Sequence, residues 1–294
     1  MRLFEQQFHT IKLQQAQFFG NLMVTPIAAE PKFKRNDIKT FDELASVGLA
    51  EAAEISESGS VNTIRILNKS ESYLAIFDND IIIGAKQNRV AKSTVLVPPH
   101  KAINLPVYCV ERGRWHYENS RSFHRSEHSI SPLMREKKMM MIKAGESANI
   151  QHEVWSDVDA LSQKLEAFSP TDDYTEVVSR QRYRGESELV EFIKNCKGNG
   201  YIVANGNKMF AEIYYDEQTC RCQSLKSIKS WLADLTNGIT NDARSNTLIE
   251  SELMNSLWHR VRSIGVETTY EASGAKQGQS VLLEGSFVHG LIYL

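Results

Sequence analysis

The residues best placed to do chemistry fall in two short strings. The first is Gly84-Ala85-Lys86-Gln87-Asn88-Arg89, directly after the apolar Ile81-Ile82-Ile83. A strand that runs into Gly, Lys, Gln, Asn and Arg gathers hydrogen-bond donors in a small volume. Such a set suits phosphate, carboxylate or a polar ring, with the planar fork of Arg89 as an anion clamp. The plainer reading is a solvated strand end carrying two surface cations. The second string is Cys109-Val-Glu111-Arg112-Gly-Arg114-Trp115-His116-Tyr117. Glu111 is a general-base candidate or the partner that holds Arg114 or Arg89, while Trp115 and Tyr117 offer faces on which a base or sugar can stack. Its plainer reading is a strand-end ion pair beside a half-buried tryptophan.

Other polar residues carry less. His124-Arg-Ser-Glu127-His128 matches the inverted zinc-protease spacing, but its Ser-rich flanks lack the apolar helical period that would put both histidines on one helix face. It reads as a basic loop, and no metal is expected. Cys220 and Cys222 have no second pair to complete a zinc site, and Cys109 sits in an apolar strand that argues for a packed thiol. His289 lies in the apolar Phe287-Val288-His289-Gly290-Leu291. Such a histidine is commonly a hydrogen-bonded core group, yet it is the best isolated acid–base candidate of the C-terminal half. Gln151 and Trp155 are one helical turn apart, consistent with packing through Trp155. No P-loop, G-x-G-x-x-G or G-x-S-x-G pattern is present.

The elements that must position these groups give an α+β pattern, with antiparallel β-rich residues 1–145 and mixed helices and hairpins in residues 146–294, as two domains or one merged body. A strand before Pro26 is followed by a solvated loop holding Lys32, Lys34 and Arg35. Thr40-Phe-Asp-Glu43 fits a capping box opening a short helix that ends near Gly48. Val61-Asn-Thr-Ile-Arg-Ile-Leu-Asn68 alternates with Val61 toward a core, and Asp78-Asn79 sits between two β runs as a hairpin turn. Residues 113–145 read largely as loop. From Arg112 to Lys143 eight cations face three acids, about +5 at neutral pH. Helices are expected over residues 150–165, from an N-cap at Ser187 to before Gly198, and over 217–235 and 242–264. Asn205-Gly206 marks a hairpin, and the final strands 280–285 and 287–294 pair.

The 294 residues, 41% hydrophobic with a net charge of −2, can bury a core and carry no global field that demands nucleic acid or an anionic membrane. Four irregularly spaced cysteines argue against a disulfide framework and for a reducing compartment. With no long apolar run and no signal-like start, the expectation is a soluble, cytoplasmic protein without a membrane partner.

GAKQNRV followed after about twenty residues by PVYCVERGRW resembles the ARPP-type family, bacterial domains named for their gene association with ADP-ribosylglycohydrolases and rhodanese or phosphatase proteins. Asn21-Leu22, the Phe41-Asp42-Glu43-Leu44 helix, Glu54, Asn68, Gln151 to Trp155, Ser169-Pro170-Thr171, Asn205-Gly206 and His289 extend the likeness over nearly the whole chain. The segment Phe123 to Met141 and Gly290 depart from it. The resemblance implies a role around NAD and ADP-ribose. Joined to the residues, it gives a phosphorylated, nucleotide-like ligand, ADP-ribose-like or NAD-derived, that is bound and then hydrolysed or transferred. Arg89 and Arg114 would hold anionic oxygens, Gln87 and Asn88 would orient ribose or carbonyl groups, and Trp115 would stack. Glu111 is the first candidate base, then Glu54, then His289. Turnover itself, any cofactor and the oligomeric state stay open. The alternatives are a non-catalytic protein-interaction module and a nucleic-acid binder using the basic residues 112–143.

Overall fold

A computed structural model describes residues 1–117, 123–146, 148–206, 208–234 and 245–294. The chain opens with α1 (Leu3–Gln7), β1 (Phe8–Leu13), β2 (Gln17–Phe19) and β3 (Leu22–Pro31). Pro26 does not close its strand. Proline removes only its own N–H from a ladder, and the Pro26 carbonyl still accepts from Gln14 N at 2.9 Å while β3 continues to Pro31.

Next come β4 (Ile38–Thr40), α2 (Phe41–Ser46), β5 (Ala50–Glu54) and β6 (Thr63–Asn68). The capping box is present: Glu43 N donates to Thr40 Oγ1 and Thr40 N donates to the Glu43 carboxylate. Gly48 takes φ +74 just beyond the helix, as expected of a terminator. Val61 is exposed and the strand starts at Thr63, so Val61 faces no core.

β7 (Tyr73–Ile76) and β8 (Asp80–Gly84) do flank a turn, closed by Asp80 N donating to Phe77 O at 3.0 Å. They do not pair as a hairpin. β7 lies between β4 and β10 (Val95–Val97), whereas β8 lies between β9 (Arg89–Ala91) and β12 (Phe123–Ser129). The turn hands the chain from one sheet to another, with the Asp80 carboxylate accepting from Phe77 N. β11 (Ala102–Cys109) precedes β12, and α3 (Pro132–Lys143), α4 (Ile150–Leu165) and α5 (Tyr174–Ser179) follow.

Within residues 113–145, expected to be largely loop, Phe123–Ser129 is a strand and Pro132–Lys143 a helix, while 118–122 lie outside the described residues. Ser131 caps α3 by accepting from Met134 N, and Pro132 occupies the first turn, where its missing N–H costs nothing. Arg121 lies outside the described residues. The helix over 150–165 is present, with Ile150, Val154, Val158 and Leu161 buried.

The remainder holds α6 (Glu186–Asn195), β13 (Gly200–Asn205), β14 (Lys208–Tyr214), α7 (Glu217–Ala233), α8 (Asn246–Asn255), β15 (Trp258–Val261), β16 (Thr268–Ala272), β17 (Gly278–Leu283) and β18 (Ser286–Tyr293). Gly185, not Ser187, caps α6. β13 and β14 form the hairpin marked by Asn205-Gly206, with Asn205 opposite Lys208 and Gly206 at φ +61. The helix expected over 242–264 ends at Asn255, because Leu253 is buried while Leu257 points outward and Trp258 enters a strand opposite Ala272. Its expected start at 242 lies outside the described residues.

The chain divides into two compact units. Unit 1 joins residues 1–36, 183–263 and 267–294; unit 2 comprises residues 37–182 and 264–266. The division runs at 36/37 and 182/183. Unit 1 is built on an antiparallel sheet ordered β1-β3-β13-β14-β18-β17-β16-β15, with β2 also on β3. Unit 2 holds a sheet ordered β12-β8-β9-β11-β6-β5 and the smaller β10-β7-β4, in which β4 and β7 run parallel. Each unit has its own apolar core, around Phe4, Phe8, Ile202 and Trp258 in the first and around Phe41, Ile64, Leu74 and Leu105 in the second. The architecture is α+β and mostly antiparallel. Among the described residues no helix is long and apolar enough to cross a membrane.

Candidate functional site

Both polar strings belong to unit 2 and meet. The first forms the turn between β8 and β9, and the second follows β11, which pairs with β9 so that Cys109 lies opposite Arg89. Gly84 N donates to Asn88 Oδ1 at 2.9 Å, and Ala85 is held at φ +43, a backbone region costly for a residue with a Cβ. Arg114 fixes that conformation by donating from Nη1 to Ala85 O at 2.6 Å.

Glu111 lies at the centre. Arg114 donates to it twice, from Nε to Oε1 at 2.8 Å and from Nη2 to Oε2 at 2.7 Å, and Asn88 N adds a third bond to Oε2 at 3.0 Å. Asn88 Nδ2 donates to Asp173, which caps α5 through Thr175 N. Burial raises the Asp173 carboxyl above its usual range. Gln87 Oε1 accepts from Arg89 Nη1 at 3.1 Å, and its amide donates to Arg112 O. Glu111, Arg114, Gln87, Asn88 and Arg89 are all buried. They converge, but on each other. A bidentate buried pair of this kind rigidifies its surroundings and, once broken, leaves an uncompensated charge.

The open side lies next to this network. Trp115 is 43% exposed. The Arg89 guanidinium lies 5.5 Å from its ring centre, and Lys86 Nζ lies 5.5 Å from the Trp115 ring and 5.4 Å from the Tyr117 ring. These distances are those of cation–π contact. Beneath them Glu54 Oε1 stands 3.7 Å from Arg89 Nη2 and accepts from Lys86 N at 3.4 Å. Glu54 Oε2 and Arg89 Nε are buried without a hydrogen-bond partner, which is costly and uncommon in a folded protein. The backbone of residues 58–60 lies over them: Ser58 O accepts from Lys86 Nζ, Ser60 O accepts weakly from Arg89 Nη2 at 3.4 Å, and Gly59 has φ +76. A Cβ at Gly59 would stand 3.2 Å from Glu54 Oε2, and the residue's φ of +76 is a conformation that favours glycine. Burial lowers the Arg89 pKa, and it pushes the Cys109 thiol up to about 11 despite the neighbouring guanidinium. Cys109 is a packed thiol, donating to Val61 O.

His289 sits in unit 1, fully buried on β18, with Nε2 2.9 Å from Glu212 Oε1 and its ring tilted against that of Tyr214, centroids 5.0 Å apart. His124 and His128 lie on strand β12, not on a loop or helix. The basic residues 112–143 are largely engaged within unit 2. Arg112 pairs with Asp159 and Asp172, Arg135 with Asp78 and Lys137 with Glu153 and Asp157, while Lys138 is buried against the carbonyls of Asp78 and Ala91.

Asp173 escaped sequence reasoning, whereas Gln151 stands out in the sequence beside Trp155 without revealing its role. Gln151 brackets Cys109, accepting from its N–H and donating to its carbonyl, both at 2.9 Å. Asp173 follows the Ser169-Pro170 stop, where an acid beside Thr175 is a helix N-cap signal that could have found it.

A family model described as the ARG and Rhodanese-Phosphatase-superfamily-associated Protein domain, ARPP-1, matches residues 10–293. No curated protein and no solved structure matches the chain.

Proposed function

Because the chain belongs to the ARPP-1 family, whose name records association with ADP-ribosylglycohydrolase and rhodanese or phosphatase proteins, we propose that unit 2 binds an ADP-ribose-like or NAD-derived nucleotide on the face formed by Trp115, Lys86 and Tyr117. The observation that carries this reading is the exposed Trp115 ring flanked by two cations. An adenine or nicotinamide ring stacks on the indole, and Lys86 meets the phosphates. The buried Glu111–Arg114–Asn88 network holds the two strings in register and positions that face. Any base catalysis then falls to Glu54, whose second oxygen is unpartnered, because both oxygens of Glu111 are engaged. Displacement of residues 58–60 gives a ligand access to Glu54 and Arg89.

Calorimetric titration with ADP-ribose, NAD and related nucleotides tests the reading. Saturable binding that Trp115→Ala and Lys86→Ala each weaken about tenfold or more supports it; absence of binding to every nucleotide removes it. The non-catalytic alternative is favoured by the internal pairing of Arg89, Glu111 and Arg114. Chromatography of the bound nucleotide after incubation separates the two: turnover abolished by Glu54→Gln in a folded variant marks an enzyme, and unchanged nucleotide marks a binding module.

A further inference from the structure

The segment that joins β5 to β6 covers a charged pair that the fold leaves half satisfied. The Glu54 and Arg89 side chains are 4% and 0% exposed, and Glu54 Oε1 stands 3.7 Å from Arg89 Nη2, too far for a hydrogen bond. Glu54 Oε2 and Arg89 Nε have no hydrogen-bond partner. Buried charges left short of hydrogen bonds cost stability, and a fold that keeps them calls for a reason outside stability. The cover is held by side chains rather than by a ladder. Lys86 Nζ donates to Ser58 O at 2.8 Å and Arg89 Nη2 donates to Ser60 O at 3.4 Å, while Gly59 N turns back on Ser56 O at 3.1 Å. Residues 56–58 are exposed. Lys86 is thus a latch on an open rim, and a phosphate that attracts its ammonium competes directly with the Ser58 carbonyl.

The pair beneath selects what fits there. Arg89 alone would take a second anion, but the Glu54 oxygen beside it repels one. A neutral group that donates to Glu54 Oε2 and accepts from Arg89 Nε satisfies both, and hydroxyls do this. Reach narrows the choice further. Lys86 Cδ and Glu54 Oε2 stand 3.1 and 3.2 Å from the same point, the Cβ position at Gly59. A phosphate on Lys86 and a hydroxyl on Glu54 therefore belong to one small unit, a few bonds apart, whereas the amide or amino group of a base lies farther from the phosphate. We propose that Glu54 and Arg89 form a subsite for the vicinal hydroxyls of a ribose 5-phosphate unit, with residues 56–60 as a strap that lifts when the phosphate draws Lys86 from Ser58. This subsite rests on the nucleotide reading for the phosphate at Lys86 and adds the place of the sugar.

The test titrates the full chain with ribose 5-phosphate, with inorganic phosphate, and with 2-deoxyribose 5-phosphate, whose furanose ring has no vicinal hydroxyl pair. Amide resonances of Ser58, Gly59 and Ser60 report the strap. Ribose 5-phosphate should move them saturably and bind about tenfold or more tighter than either control. Glu54→Ala should erase the preference for ribose over deoxyribose, whereas Lys86→Ala should weaken both sugar phosphates alike. If Glu54→Ala does not fold by circular dichroism, the wild-type contrast and Lys86→Ala decide. Equal binding of the two sugar phosphates, or strap resonances that stay fixed while ribose 5-phosphate binds, overturns the proposal. Should nucleotides still shift the Trp115 indole resonance in that case, the stacking face stands without the sugar subsite. A ribose preference with no nucleotide engaging Trp115 upholds the subsite and removes the stacking face, and no binding of any probe removes both.

Discussion

Glu111 shows how far a side chain's type can stand from its task. Paired carboxylate and guanidinium motifs suggest acid–base chemistry, but three hydrogen bonds hold Glu111 as the tie between two turns. Glu111→Gln removes the charge that compensates buried Arg114 and should cost about 3–5 kcal/mol. Urea denaturation would show this, and a loss below about 1 kcal/mol would contradict a structural tie. Cys109 makes a second prediction. Its thiol is buried with a pKa near 11, Cys220 is buried and Cys222 exposed. Iodoacetamide at pH 8 should label Cys222 first and leave Cys109 untouched until the protein unfolds, as peptide mass mapping would report. Fast native labelling of Cys109 would place it in an open site. Lys138 titrates in the opposite sense. Burial holds it down to about 8, below its ordinary 10.5, so between these values the unfolded chain binds the extra proton and the Lys138 contribution to stability rises with pH. Wild-type stability measured relative to Lys138→Met should therefore increase from pH 8 to 10; a flat or falling difference contradicts the buried placement.

Elements with their own local chemistry were legible from the sequence. The Thr40–Glu43 capping box, the Asn205-Gly206 hairpin and the helix over 150–165 need only neighbouring residues to form. Thr40→Ala should cost about 1 kcal/mol in thermal or urea unfolding, and no loss would show that α2 is held by packing alone. The helix α3 was not legible. Its inward face carries Arg135 and Lys138, which reach Asp78 and neighbouring carbonyls, so the apolar period that betrays a helix is missing. The turn at Asp78-Asn79 was visible, but its neighbours choose partners in different sheets, which periodicity cannot encode. The convergence of the two polar strings was anticipated, while their mutual burial was not. Residue types announce hydrogen-bonding capacity, and only the fold decides whether a ligand or a neighbour uses it.

At the scale of the whole molecule, residues 37–182 interrupt unit 1, whose β3 pairs with β13 from far along the chain. No composition shift marks that insertion, because both units draw on the same mixture of strands and helices. Unit 2 has its own core, so residues 37–182 alone should unfold cooperatively when followed by circular dichroism. On the proposal above, Trp115 is the open face of a nucleotide site held in place by buried ion pairs. The most direct measurement follows the Trp115 indole N–H resonance, assigned by its disappearance in Trp115→Phe, during titration with ADP-ribose. The account predicts a saturable shift of that resonance that Lys86→Ala weakens; a Trp115 signal that stays fixed through the titration of a folded protein contradicts it.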